Sequence, residues 1–330
     1  MTKKVIVKLL VCALLCAAAV TELSAQPPAD SGQNPGARGG FGAGVGGFRG
    51  GGGGRRGGFG QPAVPVGPPA PVPAEVAQPR PTPQELTKLN ADFKQFLASS
   101  PDADLLTKYP NLTVAPKNNN AIVPTSGGVR GPRHQAFVET AKNGDFDILF
   151  EGDSITDWWQ QQPPNGGAEV FKKYFGDQKV ANFAVAGDTT QGLLWGLQDG
   201  EGKGHKPKVI MLMIGTNNTG GNTGAEIAEG VGADVAEMRK DFPDAKILLL
   251  AIFPRGSGPN DANRRKNEEA NKIIAKLDDG QHVFFKNIND KFLDSDGKLI
   301  GFRGDNLHPT AVGYEAWGAT VAPILKDMLK

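Results

Sequence analysis

The sequence predicts an α/β fold, a three-layer α/β/α sandwich around a five-stranded parallel sheet. Two observations carry this expectation. From about residue 145, apolar runs of strand length alternate with helix-length amphipathic segments. The clearest run, residues 207–214 (PKVIMLMI), is apolar almost throughout, as a strand covered on both faces would be. Strands separated by helices favour parallel pairing with helices on both faces.

The elements follow in order. Thr82 and Glu85 form a capping box with Pro83 at the first helical position, and Leu86, Leu89, Phe93 and Phe96 then share one face. This helix is expected to strap onto the main domain. Residues 111–131 lack a period and read as an irregular crossing. Pro132 opens a second helix that runs through Phe137 to about Asn143. Strands are then expected at 146–150, 180–185, 207–214, 245–253 and 282–285. Helices are expected at 168–175, 190–197, 225–240, 260–277 and 310–329.

The 330 residues divide unevenly in composition. Gly and Pro crowd the first 80 positions, which hold 17 of the 45 Gly and 10 of the 25 Pro. That stretch has too little apolar surface to offset its ordering entropy. Residues 1–25 read as a signal peptide, with Lys3, Lys4 and Lys8 before an apolar run and Leu23-Ser24-Ala25 as the cleavage site. A transmembrane anchor is the alternative reading, although the run is short for one. The domain reading is therefore signal peptide 1–25, disordered Gly/Pro-rich linker 26–81, helical strap 82–144 and main domain 145–330. Export to the periplasm, cell surface or medium follows from the signal. Arg-Gly-Gly runs such as residues 55–58 admit an RNA-binding tail, but charge there is sparse and a flexible tether fits better. The net charge of +1 gives no field for nucleic acid or an anionic membrane. Both cysteines, Cys12 and Cys16, lie in the signal, so the mature chain would have neither a disulfide nor a Cys-based zinc site.

Four short blocks supply one chemistry. Gly152-Asp153-Ser154 follows the first strand, at the sheet edge where open α/β folds bind ligands. Ser154 there is either a nucleophile or merely the cap of the next helix. Thr156 stands where a G-x-S-x-G elbow needs Gly, so the usual α/β-hydrolase pattern is excluded. Asp305-Asn306-Leu307-His308 adds a base: His308 can take the serine proton, and Asp305 can orient the ring. Pro309 restrains the loop and is expected to open the last helix. His134, His205 and His282 read as surface or core-edge residues. Gly187 (in NFAVAGDTT) and Asn217 (in IGTNN) each follow a strand and can donate N–H groups. With the Ser154 N–H they would complete an oxyanion hole. Singly, either is equally well a turn residue. The catalytic set is thus Ser154, Asp305 and His308, with Ser154, Gly187 and Asn217 as oxyanion donors and no metal site.

These blocks resemble the SGNH, or GDSL, hydrolase superfamily over roughly residues 133–329. Its Ser, Gly, Asn and His map onto Ser154, Gly187, Asn217 and His308, with Asp305 as its aspartate. NFAVAGDTTQGLLWGL, KPKVIMLMIGTNN and Pro254-Arg255-Gly256 closely resemble the catalytic subunits of platelet-activating factor acetylhydrolase. The resemblance implies a flavodoxin-like fold and hydrolysis of short-chain acyl, above all acetyl, esters by a serine esterase through an acyl-enzyme. It implies no cofactor. The triad loop, DNLHPT, is more like that of bacterial SGNH esterases, some of which deacetylate carbohydrates. The expected partner is a small acylated substrate, an acetylated carbohydrate or lipid ester, and not nucleic acid; a homodimer remains open. Trp158, Trp159 and Trp195 are near the blocks and either stack on a sugar or pack in the core. The alternatives are a carbohydrate O-acetyltransferase and an inactive SGNH-fold binding module.

Overall fold

The computed structural model describes residues 61–330, Asn165 excepted. The signal expected at 1–25 and the linker as far as residue 60 lie outside the described residues. Two compact units divide the described chain. The smaller is Pro81–Pro116; the larger holds residues 61–80 and Lys117–Lys330.

In the smaller unit, helix α1 (Pro83–Ala98) starts at the expected capping box, with Thr82 and Glu85 reciprocally bonded. A short helix α2 (Asp104–Lys108) follows. Asn90 ties the returning chain down through two bonds to the backbone of Val114, at 3.0 and 2.6 Å.

The larger unit is built on five parallel strands: β3 (Ile148–Gly152), β4 (Val180–Asn182), β5 (Val209–Met213), β6 (Lys246–Leu250) and β7 (Val283–Lys286). Their order is β4-β3-β5-β6-β7. Each lies within or beside an expected run. β4 is shorter than expected, yet the Phe183 and Val185 N–H groups still bond to Phe150 and Gly152 along β3. The side chains alternate as the pleat requires. Leu149, Ile210, Leu212, Ile247 and Leu249 enter one buried cluster, and Ile148, Phe150, Met211, Leu248 and Leu250 the other. The first cluster is closed by α3 (Gly131–Asn143), α6 (Thr190–Gly196), α7 (Gly224–Asp241) and α8 (Ala262–Ile274), through Phe137, Leu193, Val231 and Ile274. The second is closed by α5 (Ala168–Phe175) and α9 (Ala311–Met328), through Phe175, Trp317 and Val321. Truncating one such buried side chain to Ala typically costs about 2–5 kcal/mol. The three-layer α/β/α expectation holds.

Two boundaries differ from the expectation. Residues 61–80, assigned to a linker reaching residue 81, belong to the larger unit. Strand β1 (Gln61–Pro65) pairs antiparallel with β2 (Thr125–Gly128), inside the stretch expected to be irregular. Val76 is buried in the first cluster, and Arg80 forks onto the buried carboxylate of Glu229 at 2.8 and 2.6 Å. Residues 117–144, assigned to the strap, also belong to the larger unit, with Ala121, Ile122, Phe137 and Ala141 buried. Residues 61–80 are held by the β1–β2 ladder, the single side chain of Val76 and the Arg80–Glu229 pair, which leave no periodic trace in sequence; helix α3 was expected, but not the unit it joins.

Candidate active site

All four blocks meet at the carboxyl edge of the sheet, where β3, β4 and β5 release the chain. β3 and β4 connect on one side, and the chain then crosses back to β5 on the other, so the edge is a topological switch point. Gly152 closes β3 where a β-carbon would lie 2.4 Å from the Met213 carbonyl oxygen, so only hydrogen fits. Asp153 then caps a one-turn helix α4 (Ser154–Asp157), its Oδ1 accepting from the Ile155 N–H at 3.0 Å. The alternative that Ser154 is only a cap therefore fails: Asp153 has that place. The Ser154 hydroxyl instead lies 2.8 Å from His308 Nε2.

His308 Nδ1 in turn lies 2.8 Å from Asp305 Oδ2. The other oxygen, Oδ1, accepts from the N–H groups of Leu307 and His308 at 3.0 and 3.1 Å. Asn306 takes φ +53°, a left-handed conformation that Asn tolerates better than most residues, and this folds the loop back on itself. Burial pushes Asp305 up, but the bonds from His308 and Leu307 outweigh it and hold its carboxyl below the ordinary range. Pro309 does not open the last helix as expected. α9 begins at Ala311 with Thr310 at its N-cap, and Pro309 forms an antiparallel bridge with Phe302. Pro309 thus anchors the triad loop rather than the helix.

Gly187 has φ +86°, which favours glycine. Asn217 sits on a turn after β5 and donates one amide hydrogen to the Asp188 carbonyl at 2.7 Å, while the second meets no acceptor among the described residues. Among the described residues, the N–H groups of Ser154 and Gly187 have no acceptor. Asn218, unnoticed in sequence, locks the β5 turn to α6 by accepting from the Thr190 N–H at 3.2 Å.

Of the three tryptophans, only Trp158 touches the triad. It stacks on His308 with centroids 4.0 Å apart, and the Arg303 guanidinium lies 5.1 Å from the Trp158 ring centroid. Trp159 is fully buried among Phe175, Tyr314 and Trp317. Trp195 packs on His134. His134 sits part-buried at the core edge, as expected, and bonds to Glu201 at 2.7 Å. His205 is more buried than expected, packed against Phe146 and Phe242, where burial pushes it down to about 4.

The sequence model of the GDSL-like lipase/acylhydrolase family matches residues 150–316, a span that takes in Ser154, Gly187, Asn217, Asp305 and His308. The chain belongs to this family. It is a carboxylic ester hydrolase. Platelet-activating factor acetylhydrolase IB subunit alpha2 of Rattus norvegicus is 37% identical over 184 residues, 55% of this chain and 77% of the relative. The alpha1 subunit of Homo sapiens is 31% identical over 183 residues, 55% of this chain and 76% of its own. A solved structure of a candidate platelet activating factor from Streptococcus pneumonia aligns with a TM-score of 0.50 at 24% identity. It covers 61% of this chain and 93% of that one, and it shares the fold. Arg130 and the β1–β2 ribbon lie before the matched family segment.

Proposed function

We propose that this acylhydrolase is a serine esterase for short-chain acyl, chiefly acetyl, esters, and that it works through an acyl-enzyme. The carrying observation is the relay from Ser154 through His308 to Asp305, with both links at 2.8 Å. Ser154 Oγ attacks the carbonyl carbon as its proton passes to His308 Nε2. The oxyanion is met by the N–H groups of Ser154 and Gly187 and by the second amide hydrogen of Asn217. The C–O bond to the alcohol then breaks, and the departing oxygen takes the proton from His308. Water repeats the sequence: it gives a proton to His308, bonds to the acyl carbon and displaces Ser154 Oγ, which recovers the proton. Asp305 keeps Nδ1 protonated and stabilises the transient imidazolium.

A short acyl group is supported by the acetylhydrolase relatives. Export through residues 1–25 is part of the proposal, and a mature chain starting at Gln26 would support it. The direct test is Ser154→Ala together with titration of the wild type by a serine-reactive organophosphate. The variant should fold and lose nearly all turnover of p-nitrophenyl acetate, and the wild type should bind one phosphonyl group per chain. Turnover above a few per cent of wild type in the variant would remove Ser154 from its role.

A further inference from the structure

Arg130 is fully buried, at the start of α3, outside the matched family segment. Its single guanidinium meets three buried carboxylates. Nε donates to Asp188 at 2.7 Å, Nη2 to Glu151 at 3.3 Å, and Nη1 to Glu201. Each partner lies on a different part of the catalytic frame. Glu151 is on β3, three residues before Ser154. Asp188 follows Gly187. Glu201 lies beyond α6 and also holds His134. The arginine stem cannot move freely: a β-carbon at Gly196 would fall 2.8 Å from its Cδ, and Phe137 lies beneath the guanidinium with its centroid at 5.7 Å.

The contacts continue to the oxyanion donors. The Asp188 side chain is held by Arg130, and the Asp188 carbonyl accepts the amide of Asn217. Asp188 Oδ1 also accepts from the Thr189 N–H at 2.9 Å. One residue thus fixes the peptide after Gly187 and aims the Asn217 amide, and Arg130 fixes that residue.

We propose that Arg130 is a positioning residue for ester hydrolysis: through Asp188 it sets the direction of the Gly187 and Asn217 donors, and through Glu151 it registers them against the strand that carries Ser154. This rests on the oxyanion hole proposed above. Oxyanion stabilisation depends on donors placed before the charge develops. A displacement of about 1 Å in such a frame costs on the order of 10²-fold in rate. An arginine suits the task because its planar fork bonds several carboxylates in fixed directions, and lysine has no such fork.

The test uses Asp188→Asn and Arg130→Lys. Arg130→Lys leaves three buried carboxylates around a smaller cation and can fail to fold, so Asp188→Asn decides. An asparagine oxygen still accepts from Thr189, while its amide opposes Arg130 Nε donor to donor. Active chains are counted by organophosphate titration, which removes any effect of partial unfolding. For Asp188→Asn, kcat per titrated site on p-nitrophenyl acetate should fall roughly 10- to 100-fold, with KM within about twofold. Inhibition by a short-chain trifluoromethyl ketone, whose serine adduct bears the oxyanion, should weaken by about the same factor. Wild-type kcat per site in Asp188→Asn overturns the proposal. So does a loss confined to KM, or undiminished ketone inhibition. A ketone that fails to inhibit the wild type would instead overturn the serine-esterase reading itself.

Discussion

Replacing Asp305 by Asn tests the triad because the structure sets two limits on the loss. The Asp305 carboxylate has two tasks. Oδ1 holds the loop through Leu307 and His308, and Oδ2 faces His308 Nδ1. If the asparagine oxygen stays with the backbone, its NH₂ faces Nδ1. That ring nitrogen must then accept, so Nε2 carries the proton and cannot take one from Ser154. A wrong tautomer of this kind lowers kcat about 10⁴-fold, or roughly 5.5 kcal/mol. The amide can also flip. Its oxygen then restores the tautomer, but the two backbone bonds are lost, at roughly 0.5–1.5 kcal/mol each. The side chain is 42% exposed, so water softens that cost. The flipped form is then the minor one, populated at roughly a tenth to a hundredth, but turnover passes through it and the loss is limited to about 10²- to 10³-fold, including the missing negative charge beside the imidazolium. Global stability should change by less than about 1 kcal/mol, because the bonds concerned are exposed. The sign with pH follows from the lowered carboxyl of Asp305. A group depressed in the folded state adds stability above its unfolded value, and loses it as pH falls through the folded one. The stability gap between wild type and Asp305→Asn should therefore be present at neutral pH and close below about pH 4. The assay is kcat on p-nitrophenyl acetate per titrated site, beside urea melts at pH 7 and pH 3. Full activity in Asp305→Asn, or a loss explained by unfolding alone, would refute the reasoning.

Other substitutions probe separate links. Gly187→Ala places a side chain at φ +86° and 3.4 Å from Val129 Cγ1, which should cost about 1–2 kcal/mol in a denaturant melt. If the loop relieves that strain by turning the N–H away, kcat should fall a further ~10²-fold, and an unchanged kcat per titrated site would argue against Gly187 as a donor. The proposed short-acyl preference requires acetate esters to exceed octanoate esters in kcat/KM; a rate that rises with chain length would move the specificity to long acyl groups. Arg80→Ala should lower stability by about 1–3 kcal/mol, less than for a wholly buried pair because Arg80 is 42% exposed, while leaving kcat intact. No loss of stability would mean that residues 61–80 do not brace the larger unit.

The sequence alone was enough for most of what is local or repeated. Apolar runs announced β3 to β7, most plainly the central β3, β5 and β6, because a strand buried on both faces must be apolar along its length. The capping box at Thr82 was equally plain, since all its partners lie within three residues. The candidate site was legible for the same reason: Asp305 and His308 belong to one turn, and Ser154, Gly187 and Asn217 each lie in the loop that follows a strand. What sequence could not decide was which polar groups meet across the fold. The cap on α4 passed to Asp153, and Pro309 went to the triad loop rather than to α9. Trp158 and Trp159 are neighbours in the chain, yet one stacks on His308 and the other fills the core. Val76 and Arg80, in a Pro-rich stretch, gained their partners only from α7 and the core cluster it helps to close. Arg130 is the extreme case. Its carboxylates stand 21, 58 and 71 residues away, and a charge so placed is tolerable in the interior only once the tertiary structure has brought all three around it.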